Sequence, residues 1–327
     1  MTQVHAIGSL NLDYVYRVPH FLRPGETLEA DHRAVHWGGK GLNQTVAMLR
    51  SGLAVRHCGA VGADGTPLSD FLASEGADVA HLHVDERSAT GHTFIQVTPD
   101  AENAILYYPG TNHAVTEDLV DGFLATAETG DFLVLQNEVN GTARLMDEGR
   151  RRGLRVVFNP SPFSQELRAL DLSGLYALVL NETEAAEWVG ADLTPEAAAK
   201  ALVGKGVSIV ILTLGAKGLV WCAAQGASGK VPAFRVEAVD TTGAGDTLAG
   251  YAVGALAEFA RTGSTKLLEE GLRTAAAAAA LSVEPARIAK TLSFADGDGC
   301  LLVVTAGDQK IDNAKFKAAF GIKAKML

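Results

Sequence analysis

The 327-residue sequence is poor in cysteine, in aromatic residues and in basic charge. Its three cysteines, Cys58, Cys222 and Cys300, are scattered and odd in number, so we expect neither a disulfide framework nor a Cys-x-x-Cys metal site. The 28 Lys and Arg against 38 Asp and Glu residues give a net charge of −10. This charge disfavours binding to nucleic acid or to an anionic membrane surface. The nine histidines show no metal-ligand spacing, and we assign none to catalysis.

Long apolar runs are also missing. No run approaches the roughly 20 apolar residues of a membrane span, and no basic-then-apolar leader opens the sequence. We therefore expect a cytoplasmic protein. Because 47% of the residues are hydrophobic, the chain can bury a large core, either as one α/β domain or as a domain with a small appendage.

From about residue 116, helical patterns alternate with continuously apolar strands such as "DFLVLQNEV" and "VSIVILTLGAKG". Continuous apolar runs are typical of parallel strands that are buried on both faces, and repeated βα alternation predicts a doubly wound α/β core. In contrast, the segments 10–38 and 90–110 contain short strands in which apolar and polar residues alternate. We interpret them as a small separate sheet.

Ligands of such a core bind at the carboxyl ends of its strands. Polar residues follow the predicted strands at Asn11, Asp13, Glu138, Asn159, Asn181, Glu184, Thr213, Gly215 and Asp246. Each of them alone is an ordinary turn former. Together they would surround one crevice.

The stretch "DTTGAGDTLAG", residues 240–250, joins a predicted strand to a predicted helix through a glycine turn. The first amides of a helix lack intrahelical partners and carry about half a positive charge, so this turn predicts an anion site for a phosphate. Asp246 is then placed to act as a base toward a substrate hydroxyl. The alternative for Asp246 is a helix-capping role above a tight turn.

A second glycine cluster precedes a helix in "VHWGGKGLNQTVAML", residues 35–49. It is not a Walker A loop, and the first strand is not followed by a dinucleotide-binding fingerprint, which argues against a nicotinamide dehydrogenase. Glycines beside Lys40 and Asn43 suit a ligand with many hydroxyl groups, because each hydroxyl needs a donor or an acceptor close to the backbone. A sugar fits that description.

Six motifs, "GSLNLD", "RPGET", "GGKGLNQ", "LNETEA", "TLGAKG" and "DTTGAGD", occur in the order found in the ribokinase family of carbohydrate kinases, which the sequence resembles over residues 5 to about 283. The resemblance implies a three-layer α/β/α core with a mainly parallel sheet and a small β-sheet lid. It also implies an ATP-dependent sugar kinase that needs Mg²⁺ and forms a homodimer through the lid.

The resemblance also implies a role for individual residues. The implied sugar-binding residues are Asn11, Asp13, Gly39, Lys40, Gly41, Asn43, Glu138 and Asp246. The implied ATP-binding residues are Asn181, Glu184, Thr213, Leu214, Gly215, Ala216, Lys217, Gly218 and Gly245. Gly243, Ala244, Gly245 and Asp246 match the anion hole, with Asp246 as the general base, and Asp240 and Thr242 match an activating K⁺ site.

The motif "GGKGLNQ" together with "PGET" resembles the kinases of pentoses, and we expect D-ribose to be phosphorylated on its 5-hydroxyl. Deoxyribose, fructose and a nucleoside remain alternative substrates. A noncatalytic sugar-binding homologue is the alternative from another class of protein.

The sequence departs from the family after Val283, where a V-T-R-x-G-A-like turn that completes the K⁺ site is missing. We therefore divide the chain into a kinase domain, residues 1–290, and an atypical C-terminal extension, residues 291–327. The end of this extension, "DNAKFKAAFGIKAKML", has the pattern of an amphipathic helix with a solvated basic face. A change of reading frame in the coding DNA is one hypothesis for the extension.

Overall fold

The computed structural model describes residues 3–100, 102–234, 243–282, 290–296 and 299–305. Its strands are β1 (Gln3–Ile7), β2 (Asn11–Arg17), β3 (His32–Gly38), β4 (Ala54–Val61), β5 (Asp78–Val84), β6 (Gly91–Val97), β7 (Asn103–Tyr108), β8 (Phe132–Gln136), β9 (Arg155–Asn159), β10 (Ala177–Asn181), β11 (Ile209–Thr213), β12 (Leu219–Ala223), β13 (Ser228–Val231), β14 (Lys290–Asp296) and β15 (Gly299–Thr305). Its α-helices are α1 (Lys40–Arg50), α2 (Thr66–Ser74), α3 (Glu117–Leu124), α4 (Thr142–Arg151), α5 (Glu182–Val189), α6 (Pro195–Gly204), α7 (Ala244–Thr262) and α8 (Thr265–Ser282).

The main sheet has nine strands in the order β13-β12-β11-β10-β9-β8-β1-β4-β5. Every neighbouring pair is parallel except the two pairs that include β12. The prediction of a mainly parallel sheet is confirmed. The parallel strands of the main sheet are β1, β4, β5, β8, β9, β10 and β11. Because they run in one direction, their carboxyl ends lie along a single edge of the sheet.

Alternate residues of each central strand pack into two different cores, so both faces of the sheet are covered. In β8, Phe132 and Val134 pack with α1, α7 and α8, whereas Leu133 and Leu135 pack with α3, α4, α5 and α6. This is the predicted three-layer α/β/α arrangement, and it explains why the central strands are apolar without alternation. A smaller core lies between α1, α2 and β4.

A second sheet of four strands, in the order β3-β2-β6-β7, forms the small separate sheet expected from the alternating segments. We call it the lid. Its strands β2 and β6 are parallel, and its two outer strands are antiparallel to them. Since β2 follows β1 after three residues, Gly8 to Leu10, the lid begins directly above the carboxyl end of a central strand.

In the C-terminal extension, β14 and β15 pair as an antiparallel two-stranded sheet of their own. The predicted amphipathic helix lies outside the described residues, as do Asp240 and Thr242. Within the described part of the chain, no helix combines the length and the apolar character needed to cross a membrane.

Candidate active site

Two turns meet at the carboxyl edge of the main sheet. The turn after β1, at Gly8 and Ser9, touches the glycine turn that precedes α1: a Cβ on Gly41 would lie 2.4 Å from the carbonyl carbon of Gly8. Gly39 caps α1 with a φ of 95°, a conformation that side chains disfavour. The second glycine cluster of the sequence is therefore required by this close approach of two backbones.

The first amides of α1 are closed by protein groups. The backbone N–H of Lys40 donates to Oε2 of Glu138 at 3.0 Å, and that of Gly41 donates to Oγ of Ser9 at 3.2 Å. The Ser9 hydroxyl in turn donates a short hydrogen bond to the same Glu138 oxygen. Glu138, two residues after β8, is thus held against the glycine turn through Oε2.

The first amides of α7 are not bonded to any side chain of the described residues. The helix begins at Ala244 after Gly243, whose φ is 77°, and no side chain among the described residues caps it. A Cβ added to Gly245 would meet nothing within 4 Å. Because these amides lack intrahelical partners and the helix dipole is positive here, this end of α7 suits a phosphoryl group.

Asp246, in the first turn of α7, faces the start of α1. Its side chain is 8% exposed and lies 3.8 Å from Nζ of Lys40. Its Oδ2 accepts from Nδ2 of Asn43 at 3.3 Å, and its Oδ1 accepts from Nε2 of Gln44 at 3.0 Å. The two glycine clusters of the sequence are therefore neighbours in space, with a carboxylate between them.

The lid contributes a second polar group of residues. Asn112 donates from Nδ2 to Oδ1 of Asn11 at 2.7 Å and accepts the backbone N–H of Leu10 at 3.0 Å. Asp13 accepts from the hydroxyl of Thr93 at 2.6 Å. These contacts fix Asn11 and Asp13 on the strand β2 that leads out of the site.

Burial controls the ionisation of the acidic groups. It raises the pKa of Glu138, and the charge of Asp246 adds to this effect while Ser9 and Lys40 oppose it. Burial also raises the pKa of Asp13, against the hydrogen bond from Thr93. The pKa of Tyr107 rises to about 12, first through burial and then through the charge of Glu138. Tyr107 of the lid therefore lies within the electrostatic reach of Glu138.

The residues predicted for the nucleotide follow β10 and β11, at the same edge of the sheet. Asn181 and Thr213 are neighbours in register, and the Thr213 hydroxyl donates to the Leu180 carbonyl at 3.2 Å. Asn181 and Glu184 form a reciprocal capping box at the start of α5, with bonds of 2.8 and 3.0 Å. The loop from Leu214 to Gly218 connects β11 to the antiparallel β12.

These nucleotide-side residues do not bond to the Asp246 group in the described residues. Groups of three or more His, Cys, Asp or Glu side chains that could hold a metal ion are likewise absent from the part of the chain that is described.

Sequence reasoning missed several residues that the structure brings into the site: Ser9, Gln44, Tyr107, Asn112 and Gln136. Ser9 and Gln44 lie inside the quoted motifs "GSLNLD" and "GGKGLNQ", next to residues that were assigned. Asn112 stands beside His113 in "PGTNHAV" and could have been found from its amide type alone. No local signal marks Tyr107 or Gln136.

The arrangement is that of a kinase that acts on a small hydroxylated substrate. It combines an α/β core, a lid with polar groups over the carboxyl edge, and an uncapped helix end beside a buried carboxylate. Residues 1–290 match the family model described as pfkB family carbohydrate kinase. The chain belongs to this family, and it is a sugar kinase that transfers a phosphoryl group to an alcohol.

Individual relatives agree with this assignment. The chain is 37% identical to the ribokinase of Haemophilus influenzae over 285 residues, covering 85% of this chain and 90% of the relative. It is 34% identical to the deoxyribokinase of Salmonella typhimurium over 262 residues, covering 76% and 83%. The structure of Arabidopsis thaliana ribokinase complexed with ribose and ATP is similar with a TM-score of 0.73 and 25% identity, covering 86% of this chain and 93% of that one.

The C-terminal region also matches a second family. Residues 269–327 match the model described as aminoacyl-tRNA editing domain, which overlaps the kinase match from residue 269 to residue 290. The overlap includes most of α8, and the remainder of this match covers the two-stranded sheet of β14 and β15.

Proposed function

We propose that this kinase phosphorylates D-ribose on its 5-hydroxyl to give ribose 5-phosphate, with Asp246 as the general base and the Gly243–Asp246 turn as the anion hole. One observation carries the proposal: the carboxylate of Asp246 lies in the first turn of α7, directly beside amides that no side chain of the described residues caps. Bound ATP would supply the phosphoryl group. The Arabidopsis thaliana relative, complexed with ribose and ATP, supports this choice of ligands.

In this mechanism Asp246 accepts the proton of the sugar hydroxyl as the hydroxyl oxygen attacks. Proton transfer to a positioned base contributes about 10² to 10⁴ in rate. The open amides of Ala244 and Gly245 stabilise the negative charge of the transferring group, a form of electrostatic catalysis that is strongest where water is excluded. The ammonium group of Lys40, 3.8 Å from Asp246, adds positive charge from the start of α1.

The sugar would lie between the glycine turn and the lid. Asn11, Asp13 and Glu138 present oxygen atoms that accept from sugar hydroxyls, while Lys40 and Asn43 donate. Gly39 and Gly41 belong to the proposed sugar site because their missing side chains let this turn pack against Gly8 and Ser9 and so place Lys40 and Asn43. Glu138 uses Oε2 within the protein, which leaves its second oxygen for a ligand.

For the nucleotide we propose the loop formed by Thr213, Leu214, Gly215, Ala216, Lys217 and Gly218, with Asn181 and Glu184 toward the phosphates. A Cβ on Gly215 would meet no atom within 4 Å, so one side of this loop has room for a ligand. Asn181 and Glu184 would lie next to Mg²⁺, which would neutralise negative charge on the phosphates. The proposed K⁺ residues, Asp240 and Thr242, lie outside the described residues.

Deoxyribose is the second candidate substrate, because the deoxyribokinase of Salmonella typhimurium is a relative at 34% identity. A coupled assay of ATP consumption with ribose, deoxyribose, fructose and adenosine tests the choice. We expect the highest kcat/KM for ribose. A higher kcat/KM for another sugar would change the substrate, and sugar binding without turnover would identify a noncatalytic homologue.

We also propose a homodimer that forms through the lid. The register of the strands places Tyr14, Val35, Phe94 and Leu106 on the lid face opposite to Asp13, and Val35, Phe94 and Leu106 are exposed. Exposed apolar patches of this kind mark interaction surfaces. A second copy of the chain, with the same face, is the proposed occupant.

The remaining proposals concern the compartment and the tail. We propose that the protein acts in the cytoplasm and that residues 291–327 are an extension outside the kinase domain. The end of the carbohydrate kinase match at residue 290 supports the boundary, as does the separate pairing of β14 with β15. Sequencing the coding DNA across codon 290 tests the reading-frame hypothesis.

A further inference from the structure

The amide of Gln44 is buried behind the carboxylate of Asp246. Gln44 is 1% exposed, and its Nε2 donates to Oδ1 of Asp246 at 3.0 Å. The same nitrogen donates to Oδ1 of Asn159 at 3.3 Å. Both hydrogens of the Gln44 amide therefore have acceptors, and one of these acceptors is the proposed base.

The orientation of this amide is set by a third residue. Gln136, also 1% exposed, donates from Nε2 to Oε1 of Gln44 at 2.8 Å. If the Gln44 amide turned over, its oxygen would face the Asp246 carboxylate, and its NH₂ group would face the NH₂ group of Gln136. Two repulsive contacts would replace the bonds with Asp246 and Gln136, and the bond to Asn159 would also be lost, so a single orientation is strongly favoured.

The elements that carry these amides are rigid. Gln136 and Asn159 are register partners at the ends of the neighbouring parallel strands β8 and β9. A Cβ on Gly8 would lie 2.3 Å from Oε1 of Gln136, so the turn after β1 packs directly on the Gln136 amide. Groups held by central strands and by packing are better fixed than groups on loops.

The two carboxylate oxygens of Asp246 have different partners. Oδ1 receives the bond from Gln44 and the nearby ammonium of Lys40, whereas Oδ2 receives the longer bond of 3.3 Å from Asn43. We propose that Gln44 is a positioning residue that holds Asp246 through Oδ1 and turns Oδ2 toward the substrate hydroxyl, and that Gln136 fixes the Gln44 amide. This inference rests on the proposed function of Asp246 as the base.

The first test replaces Gln44 by methionine, which has a similar size and no hydrogen-bonding amide. Removal of a residue that orients a metal ligand lowers activity by about 10- to 100-fold, and we expect a similar effect for a residue that orients the base. We expect kcat to fall by about this factor while the KM values for sugar and ATP stay nearly unchanged, because the lost interaction acts on the base and not on the bound ligands. Steady-state kinetics for both substrates measures this separation.

The second test is the isosteric variant Gln44→Glu. It places a second carboxylate beside Asp246, and two carboxylates at this distance disfavour simultaneous ionisation. The acid limb of the pH profile of kcat should move to higher pH, because protonation of the neighbouring pair begins at higher pH. Gln136→Met leaves Gln44 in place but frees its amide to turn, so we expect a smaller loss of kcat. If Gln44→Met does not fold, Gln136→Met tests the proposal in its place.

Thr45→Val is the matched control. Thr45 is the next residue of α1, is fully buried, and bonds at 2.7 Å to His57 and not to Asp246. It should lower the Tm while kcat stays at the parent value. If Gln44→Met kept the parent kcat, or raised KM alone, the positioning role would be overturned.

Asp246→Asn, assayed in parallel, separates this inference from the proposed function. If Asp246→Asn loses kcat and Gln44→Met keeps it, only the positioning role fails. If Asp246→Asn keeps kcat, the proposed base is wrong.

Discussion

The ammonium nitrogen of Lys40 lies 3.8 Å from Oδ1 of Asp246, so the first residue of α1 faces the first turn of α7 across the cleft. The two helix ends differ in what they can bind. Ser9 and Glu138 occupy the amides of α1, whereas no side chain of the described residues caps α7. Positive potential from the open amides and from Lys40 therefore converges on one point next to a carboxylate.

Replacing Asp246 by asparagine should remove most of the catalytic rate and leave sugar binding in place. The amide keeps the shape of the side chain but cannot take the hydroxyl proton, so we expect kcat to fall by about 10² to 10⁴. The KM for the sugar should change far less. Steady-state kinetics with saturating ATP measures both quantities.

Asp78→Asn is a control for this change. Asp78 begins β5 at the opposite edge of the main sheet, where it bonds to Arg56 at 3.1 Å. We expect parent-like kcat for this variant. An Asp246→Asn enzyme with near-parent kcat would exclude Asp246 as the base.

Gly245→Ala should raise stability and lower activity. The new methyl group would meet no atom of the described residues within 4 Å, and alanine stabilises a helix by roughly 0.5–1 kcal/mol relative to glycine. The same methyl group would enter the space in which we place the transferring phosphoryl group. Thermal unfolding and kcat/KM for ATP measure the two opposite effects.

Gly122→Ala provides the matched control, since Gly122 lies within α3 and its added Cβ would also meet nothing within 4 Å. It should gain stability with unchanged activity. Equal activity for Gly245→Ala and Gly122→Ala would mean that the mouth of α7 does not hold the phosphoryl group.

The features that sequence predicted correctly are local ones. The start of α7 after Gly243 and the apolar runs of β8 to β11 are encoded in consecutive residues, so their patterns predict a helix at this position and a mainly parallel sheet. The reversed direction of β12 was not predicted. It follows from the loop Leu214–Gly218, which is too short for the crossover that a parallel connection needs.

The contacts that sequence could not predict join distant parts of the chain. Gln44 meets Gln136 and Asp246 only because β1 inserts between β4 and β8 in the sheet, and this strand order has no local signal. Gln136 closes an apolar strand and resembles any strand-ending polar residue. The role of Gln136 can be inferred only once its contact with the buried Gln44 is known.

The free energy of unfolding should decrease as the pH is lowered, partly because of His57. Burial lowers the pKa of this histidine to about 4, from an ordinary value of 6.5. Between these values the unfolded chain binds a proton that the folded chain does not, so stability is lost as the pH falls through this window. The full effect is about 3 kcal/mol. Urea unfolding of His57→Leu between pH 7 and pH 4 should show a smaller loss than the parent, and an equally steep loss would contradict this role.

The proposed dimer should dissociate when charge is placed on the apolar lid face. Leu106 of β7 is 68% exposed and pairs in register with Phe94. Leu106→Asp should shift the protein from dimer to monomer in analytical ultracentrifugation, because an aspartate in the interface would be buried without a partner. Leu193→Asp, at another exposed leucine, should remain dimeric. A monomeric parent protein would refute the dimer itself.

Thr93 should set the pH at which Asp13 stops accepting from the sugar. Burial raises the pKa of Asp13, while the Thr93 hydroxyl, bonded at 2.6 Å, opposes this by stabilising the ionised carboxylate. Thr93→Val removes the opposing bond, so the pKa of Asp13 rises further and protonation begins at higher pH. The acid limb of kcat/KM for the sugar should then move to higher pH. Thr98→Val removes a bond of equal length to Asp100 at an exposed position and should leave the profile unchanged. Coincident profiles for the parent and Thr93→Val would show that Asp13 does not control sugar recognition.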